Sequence, residues 1–166
     1  MTQKKEQKKE QKKGICILTN FWTNHSKIIK GVIKFKEINN NKVKITGYIQ
    51  GLKEGYHGFH IHKTGDLSNG CESLCEHFNP YNKNHGGRND KDRHVGDLGN
   101  IYANKYGVSN INITDNLIKL RGKYSVIGRS LIVHEDEDDL GKGCHKDSLT
   151  TGHSGKRIAC GVIGIM

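Results

Sequence analysis

The run Val43-Lys-Ile-Thr-Gly-Tyr-Ile49 sets apolar side chains against polar neighbours. Val43, Ile45 and the pair Tyr48–Ile49 are flanked by Lys44, Thr46 and Gln50. This is the pattern of a half-buried strand, because successive side chains of an extended chain point to opposite faces. Similar short apolar or alternating runs lie on both sides of it: Ile15–Leu18, Ile28–Phe35, Gly58–His62, Ile101–Ala103, Val108–Ile113, Leu117–Leu120, Ser130–His134 and Ala159–Ile165. Turn residues separate them at Asn39-Asn40-Asn41, from Asn104 to Gly107, and at Asp115-Asn116. No long helical pattern interrupts the series. About eight short strands with this punctuation predict an all-β sandwich or barrel.

The length of 166 residues suits one domain with a real core. Hydrophobic residues make up 33%, and no stretch approaches the roughly 18 consecutive apolar residues of a spanning helix. The expectation is therefore a protein with no membrane span. The first 13 residues repeat Gln-Lys-Lys-Glu almost three times. They hold six lysines (4, 5, 8, 9, 12 and 13) against Glu6 and Glu10, and no apolar residue follows Met1. With nothing to bury, residues 1–13 are expected to be a disordered, solvated tail, and the folded domain to run over 14–166. The charged start lacks the apolar core of a secretory signal, so a cytoplasmic location is expected, or packaging into a particle such as a virion. The net charge of +10 suits an anionic partner or substrate. The tail alone gives a weak pointer to nucleic acid or another anionic surface.

Two segments break the strand rhythm. Lys63–Gly99 and Glu135–Lys156 are long, polar and Gly-rich. Loops of that length in a small domain are usually functional or disordered. His60 and His62 form H-x-H just before the first loop, and at period 2 both reach the same side of the strand. His134 ends another strand-like run. His77, His85 and His94 are spread along the first loop, and Asp97 follows His94 by three residues. Imidazole suits copper and zinc, and three imidazoles with a carboxylate suit tetrahedral zinc. Any one of these histidines alone is more often structural. Their convergence on two strand ends and one loop is what points to metal.

The segments His57-Gly-Phe-His-Ile-His62, Asn69-Gly-Cys71, His77-Phe-Asn-Pro80, His85-Gly-Gly87, Arg93-His-Val-Gly-Asp-Leu-Gly99, Ile127-Gly-Arg129, Val133-His-Glu135, Asp138-Asp-Leu-Gly-Lys-Gly143 and Arg157-Ile-Ala-Cys-Gly-Val-Ile-Gly164 resemble, in order and spacing, the copper/zinc superoxide dismutases. The resemblance covers Gly14 to Met166. It implies an eight-stranded Greek-key β-sandwich or flattened barrel with two long functional loops. It implies disproportionation of superoxide to O2 and H2O2 by a redox-cycling copper joined through a histidine to a structural zinc. The rival reading on the same fold is a non-catalytic homologue, a decoy or metal store.

Residue by residue, the resemblance implies copper held by His60, His62, His77 and His134, and zinc by His77, His85, His94 and Asp97. His77 belongs to both sets and would bridge them. Asp138 would accept hydrogen bonds from His60 and His85, His57 would support the copper side, and Arg157 would hold the anion. Of five cysteines, Cys71 and Cys160 are implied to form a disulfide. Cys16, in an apolar run, reads as a small buried hydrophobe. Cys75 and Cys144 read as free thiols, with a second disulfide or extra metal ligands as alternatives. In the loop Cys144–Thr151 a threonine stands where the family's guiding lysine is expected, so Lys146 or the basic body would supply positive guidance, and Thr151 would narrow the channel. A homodimer is implied, with Gly65, Asp66, Ile127, Gly128 and Ile165 in its interface. A copper chaperone is a further implied partner.

Overall fold

The structure is a computed structural model that describes residues 11–21, 23, 26–38 and 41–166. Eight antiparallel strands dominate it: β1 (Lys13–Thr19), β2 (Lys30–Ile38), β3 (Lys42–Gln50), β4 (Gly55–His62), β5 (Asp97–Ala103), β6 (Val108–Asp115), β7 (Ser130–His134) and β8 (Arg157–Ile165). They form one sheet in the order β5-β4-β7-β8-β1-β2-β3-β6. The sheet curls into a nearly closed barrel whose two ends, β5 and β6, are neighbours in sequence. Between β3 and β4, and again between β6 and β7, the chain leaves its sheet neighbour and crosses to a distant strand, which are the long connections of a Greek key. Among the described residues the only α-helix is a single turn, α1 (Ser148–Thr151), with a 3-10 turn at Glu72–Leu74. No helix among them is long and apolar enough to cross a membrane.

The alternation that predicted strands is visible in β2 and β3. Ile33, Phe35, Val43, Ile45 and Ile49 are buried, and the residues between them are exposed or half-buried. Inward side chains from all eight strands form one core that includes Phe59, Ile61, Leu98, Leu131 and Val133. Burying each such side chain is worth about 1.5–3 kcal/mol. Strands β4 and β7 behave differently. Their last residues are buried on both faces, because the two long loops fold over their outer side. Phe59 and Ile61 therefore enter the barrel core while His60 and His62 lie buried on the outer side, beneath the loops.

Three expectations change. Leu117–Leu120 is not a strand; its one ladder pairing is an isolated parallel bridge from Lys119 to Ser125. Asp115 Oδ1 accepts the backbone N–H groups of Leu117 at 2.8 Å and Ile118 at 2.9 Å, which turns the chain so that Ile118 and Leu120 drop into the core as a flap. Asp97–Gly99, assigned from sequence to the first loop, is the opening of β5. Lys13 is the first residue of β1, and the backbones of Lys12 and Glu37 are hydrogen-bonded, so the folded body starts slightly before residue 14. Residues 1–10 of the expected tail, and Asn39 and Asn40 of the expected turn, lie outside the described residues. Asn41, which closes that turn, has the positive φ of 57° that asparagine tolerates.

Candidate metal centre

Strand pairing carries the first two histidines to the third. His60 and His62 on β4 run beside β7, where His60 pairs with Ile132 and Phe59 with Val133. The β4–β5 ladder shifts register between Gly58 and His60, and the β7–β8 ladder between Val133 and His134. Bulges re-aim side chains, and here they sit at two of the candidate ligands. An isolated antiparallel bridge from His62 to His77 brings in the first loop.

The result is two buried groups of donors. In each, the potential ligand atoms lie within 4.8 Å of one another: His60, His62, His77 and His134 in one, and His77, His85, His94 and Asp97 in the other. These are the two sets expected from sequence, and His77 is common to both. A third group, His60, His85 and Asp138, is a hydrogen-bonded link rather than a separate centre. Asp138 Oδ2 accepts from His60 Nε2 at 2.7 Å and Asp138 Oδ1 from His85 Nε2 at 2.8 Å.

Hydrogen bonding fixes which nitrogen of each ring faces inward. His62 Nδ1 donates to the Cys75 carbonyl at 2.7 Å, His134 Nδ1 to the Gly155 carbonyl at 3.2 Å, and His94 Nε2 to the Lys83 carbonyl at 3.0 Å. With Asp138 taking His60 and His85, five of the six histidines have one nitrogen donating to an oxygen. A neutral imidazole then presents a lone pair at the other nitrogen. Those other atoms include His60 Nδ1, His62 Nε2 and His134 Nε2, which are buried without a hydrogen-bond partner, as is His77 Nε2. Buried polar atoms are rarely left so. Four orphaned imidazole nitrogens facing one another are what a cation with a taste for nitrogen would satisfy.

The second group has a different chemistry. Asp97 Oδ2 is occupied by the backbone N–H groups of His94 at 2.8 Å and Gly86 at 3.2 Å. Asp97 Oδ1 faces the Nδ1 atoms of His77, His85 and His94 at 2.9, 3.1 and 3.1 Å. A tetrahedral ion with bonds of ~2.0 Å places its ligands ~3.3 Å apart, so this set fits zinc closely. The donors of both sets therefore fit the metals implied above. His77 alone has no oxygen partner outside the two sets: Nδ1 belongs to the second and Nε2 to the first.

The charges follow from burial and neighbours. Burial, then the nearby His77 and His134, hold His60 well below the ordinary histidine value. Burial and His77 do the same to His62, and they push His134 down to about 3. Burial also lowers His77. These rings are neutral near pH 7 and their lone pairs are available. His85 goes the other way. Burial opposes it, but the carboxylates of Asp138 and Asp97 raise it to about 9. Burial likewise opposes ionisation of Asp97, yet its contacts with His77, His85 and His94 hold it far below the usual carboxylate range.

The supporting residues were only partly legible in sequence. His57 is buried, with Nδ1 at 2.8 Å from the His134 carbonyl and Nε2 at 2.9 Å from that of Lys53, so it braces the backbone beneath His134. Asp138 is itself clamped by Asn100, whose amide exchanges two 2.8 Å hydrogen bonds with the Asp138 backbone. Gly152 lies against the same carboxylate: a Cβ there would meet Asp138 Oδ1 at 1.9 Å and His85 Nε2 at 2.5 Å, and its φ is +68°. Arg93 was missed. It is buried, pairs with Asp115 at 2.5 Å, and donates to the carbonyls of His94 and Asp97 at 3.1 and 2.9 Å, so it holds both ends of the second ligand loop. The only sequence signal was an arginine beside a ligand in an otherwise hydrated loop.

Cys71 and Cys160 form the expected disulfide, with Cα atoms 5.9 Å apart. Cys16 is a buried free thiol, pushed by burial up to about 12, and Cys75 and Cys144 are exposed free thiols. Arg157 is tethered to the disulfide loop. Its Nη1 donates to the Cys71 carbonyl at 2.7 Å and its Nη2 to that of Cys75 at 2.6 Å. It borders a cleft of about 410 Å³ lined by His62, His77, His134, Thr151, His153 and three carboxylates. Thr151 stands where expected. Lys146 is exposed and does not line the cleft. Of the carboxylates, Glu76 is paired with Lys63 at 3.1 Å and Asp147 with His153 at 2.8 Å, while the third is Asp136.

With this geometry in place, comparison with known proteins is unambiguous. The family model for copper/zinc superoxide dismutase (SODC) matches residues 29–163. The chain is 57% identical over 139 residues to Superoxide dismutase (Cu-Zn) 5 of Dictyostelium discoideum, covering 82% of this chain and 91% of that one. It is 51% identical over 152 residues to Superoxide dismutase (Cu-Zn) A of Xenopus laevis, covering 92% and 97%. Among solved structures, that of the clock protein EA4 superposes with a TM-score of 0.87 at 45% identity, over 93% of this chain and 94% of that one.

Proposed function

The chain belongs to the copper/zinc superoxide dismutase family, and from that premise we propose which of its atoms carry out the dismutation of superoxide to O2 and H2O2. Copper and zinc are its metals. His60 Nδ1 and the Nε2 atoms of His62, His77 and His134 would hold copper. The Nδ1 atoms of His77, His85 and His94, with Asp97 Oδ1, would hold zinc. When bound, copper supplies one-electron redox chemistry, and zinc is a redox-silent cation that fixes its ligands. The single observation that carries this assignment is His77, whose two nitrogens serve the two sets while every other ring is anchored outward to an oxygen.

The chain's own residues supply the rest. Arg157, fixed by two short hydrogen bonds to carbonyls, presents positive charge beside His62, His77 and His134 and draws the superoxide anion to them. The pairing of Glu76 with Lys63 reduces the negative charge that the anion meets on entry, and His153 holds the Asp147 carboxylate by a 2.8 Å hydrogen bond. His77 lines the cleft and its Nε2 has no oxygen partner, so when not serving as a ligand this atom would hold a proton and pass it to the reduced oxygen. The loops bury His60, His77 and His85 and exclude bulk water from them. A reading as a metal store loses its basis, because Arg157 and the cleft are present beside a full set of donors.

The test pairs metal content with superoxide consumption on one reconstituted sample. One copper and one zinc per chain with rapid, cyanide-sensitive superoxide loss is expected. His77→Ala should abolish metal bridging and most turnover; full turnover in that variant overturns the bridge. A homodimer belongs to the same reading, supported by exposed Ile17, Ile165 and Met166 at the β1–β8 end, and sedimentation of the full chain checks it. Three free thiols suit a reducing compartment, so we place the protein in the cytoplasm, where a copper chaperone would load it.

A further inference from the structure

The outer face of β1, β2, β3 and β6 lies on the half of the barrel away from the metal centre, whose ligands come from β4, β5, β7 and the loops. Its charged residues are Lys13 on β1, Lys30, Lys34 and Lys36 on β2, and Lys42 and Lys44 on β3. The outward positions of β6, Val108, Asn110, Asn112 and Thr114, add no charge. Six lysines thus face outward from three of these four strands with no carboxylate among them. Glu37 points to the opposite side, where its carboxylate accepts from Lys12 N and Arg121.

The register makes the arrangement costly in isolation. Lys13 pairs directly with Lys36, and Lys36 with Lys44, so three ammonium groups form one row across three strands. Adjacent strands are ~4.8 Å apart, and like charges directly opposite one another destabilise a sheet. None of the six forms an ion pair among the described residues, and the Lys44 ammonium reaches only Thr114 Oγ1, at 3.4 Å. Along β2, Lys30 to Lys36 spans ~20 Å. In sequence, lysines 4, 5, 8, 9 and 12, with Glu6 and Glu10, precede Lys13. Acid is concentrated instead at the metal end, in Glu135-Asp-Glu-Asp-Asp139.

We propose that this lysine face is a docking surface for double-stranded nucleic acid, held through its phosphates without reading of bases. A duplex carries one negative charge per ~1.7 Å of axis, so a ~20 Å face meets a dense line of phosphates. Lysine is a compact point charge that suits such contacts without geometric selection. The face also exposes Ile17 and Tyr48, but the Lys13–Lys36–Lys44 row itself is charge alone, and a line of point charges matches the regular phosphates of a duplex. The acidic segment 135–139 orients the molecule, because phosphate repels it. The cleft therefore stays open while the protein is docked.

The experiment is fluorescence anisotropy of the full-length, metal-loaded protein with a labelled random-sequence DNA duplex of about 30 base pairs, titrated across roughly 50–200 mM salt. Log affinity should fall linearly with log salt and be the same for unrelated sequences. Lys34→Gln/Lys36→Gln/Lys44→Gln should flatten the slope by about 2.7, at about 0.9 for each phosphate no longer neutralised. The corresponding triple change to arginine should restore it. Metal content and unfolding midpoint report that the fold survives. No binding near 50 mM salt overturns the proposal, as does an unchanged slope in the glutamine variant. Lysine-dependent binding to phosphatidylserine vesicles but not to the duplex overturns it in favour of a membrane.

Discussion

Replacing Asp138 by Asn should weaken the copper site and largely spare the zinc site, although Asp138 touches a ligand of each. The two carboxylate oxygens are not equivalent. Oδ1 accepts two donors, His85 Nε2 at 2.8 Å and Leu140 N at 2.7 Å, whereas Oδ2 accepts only His60 Nε2 at 2.7 Å. An asparagine keeps its single carbonyl where two donors wait and turns its NH2 toward His60. His60 Nε2 then faces a donor. Either the ring moves its proton to Nδ1 and loses the lone pair meant for copper, or two donors stay in conflict. A charge-assisted hydrogen bond is worth about 1.5–3 kcal/mol, and loss of such an outer partner costs 10–100-fold in metal affinity. At 1.36 kcal/mol per decade the two figures agree. Chelator competition on the purified variant should therefore show copper affinity down roughly 10–100-fold, with zinc affinity changed by less than about threefold. A larger loss on the zinc side would refute the reasoning, since it would mean that the amide settles the other way or that negative charge, not hydrogen-bond direction, is what matters.

Zinc binding to metal-free protein at pH 7.5 should release close to one proton, from His85, whose value near 9 keeps it protonated until the ion needs its Nδ1 lone pair; calorimetry in buffers of different ionisation enthalpy should show the release vanish above pH 9. For the same reason His85 stabilises the metal-free fold fully below its unfolded value of about 6.5 and stops doing so as pH rises through 9, while His134, lowered to about 3, contributes stability above 6.5 that is lost as pH falls toward 3. Urea midpoints of the metal-free protein should accordingly fall on both sides of neutrality. Arg93→Met should cost about 3–5 kcal/mol by leaving Asp115 buried and unpaired, and Arg93→Met/Asp115→Leu should recover only part, since Asp115 also caps Leu117 and Ile118; equilibrium unfolding separates these. Cys71→Ser opens a closure of 89 residues and should lower stability by about 4–5 kcal/mol, read from denaturant midpoints with and without reductant.

The candidate ligands were legible because their residue types and spacing survive in one dimension, while their division between two metals came from the family resemblance. His60 and His62 lie two apart on an extended chain, and His94 and Asp97 three apart on a turn. The inner faces of β2 and β3 were legible for the same reason. What escaped depends on packing between distant segments. Nothing local shows that Asp115 will cap Leu117 and Ile118 and turn an apolar run into a flap. The carbonyls of Cys75, Lys83 and Gly155, which fix three ring orientations, are backbone atoms that any residue would supply. Arg93 reads as a solvated charge until Asp115, 22 residues on, is folded against it. Lys146 reads as a guide for anions until the loop turns it to solvent.

His77 and Asp138 each touch both ligand sets, and this makes the filling of the two sites a single thermodynamic problem. An ion in either set would fix His77, and through Asp138 it would fix a ring of the other set, so a second ion would find donors already ordered. Linkage requires the benefit to be mutual: whatever factor zinc adds to copper affinity, copper adds to zinc affinity. The cell can choose which metal arrives first, but that choice changes only the kinetics. The doubly loaded state has the same depth by either route, and a half-loaded chain is favoured least where the coupling through His77 and Asp138 is strongest.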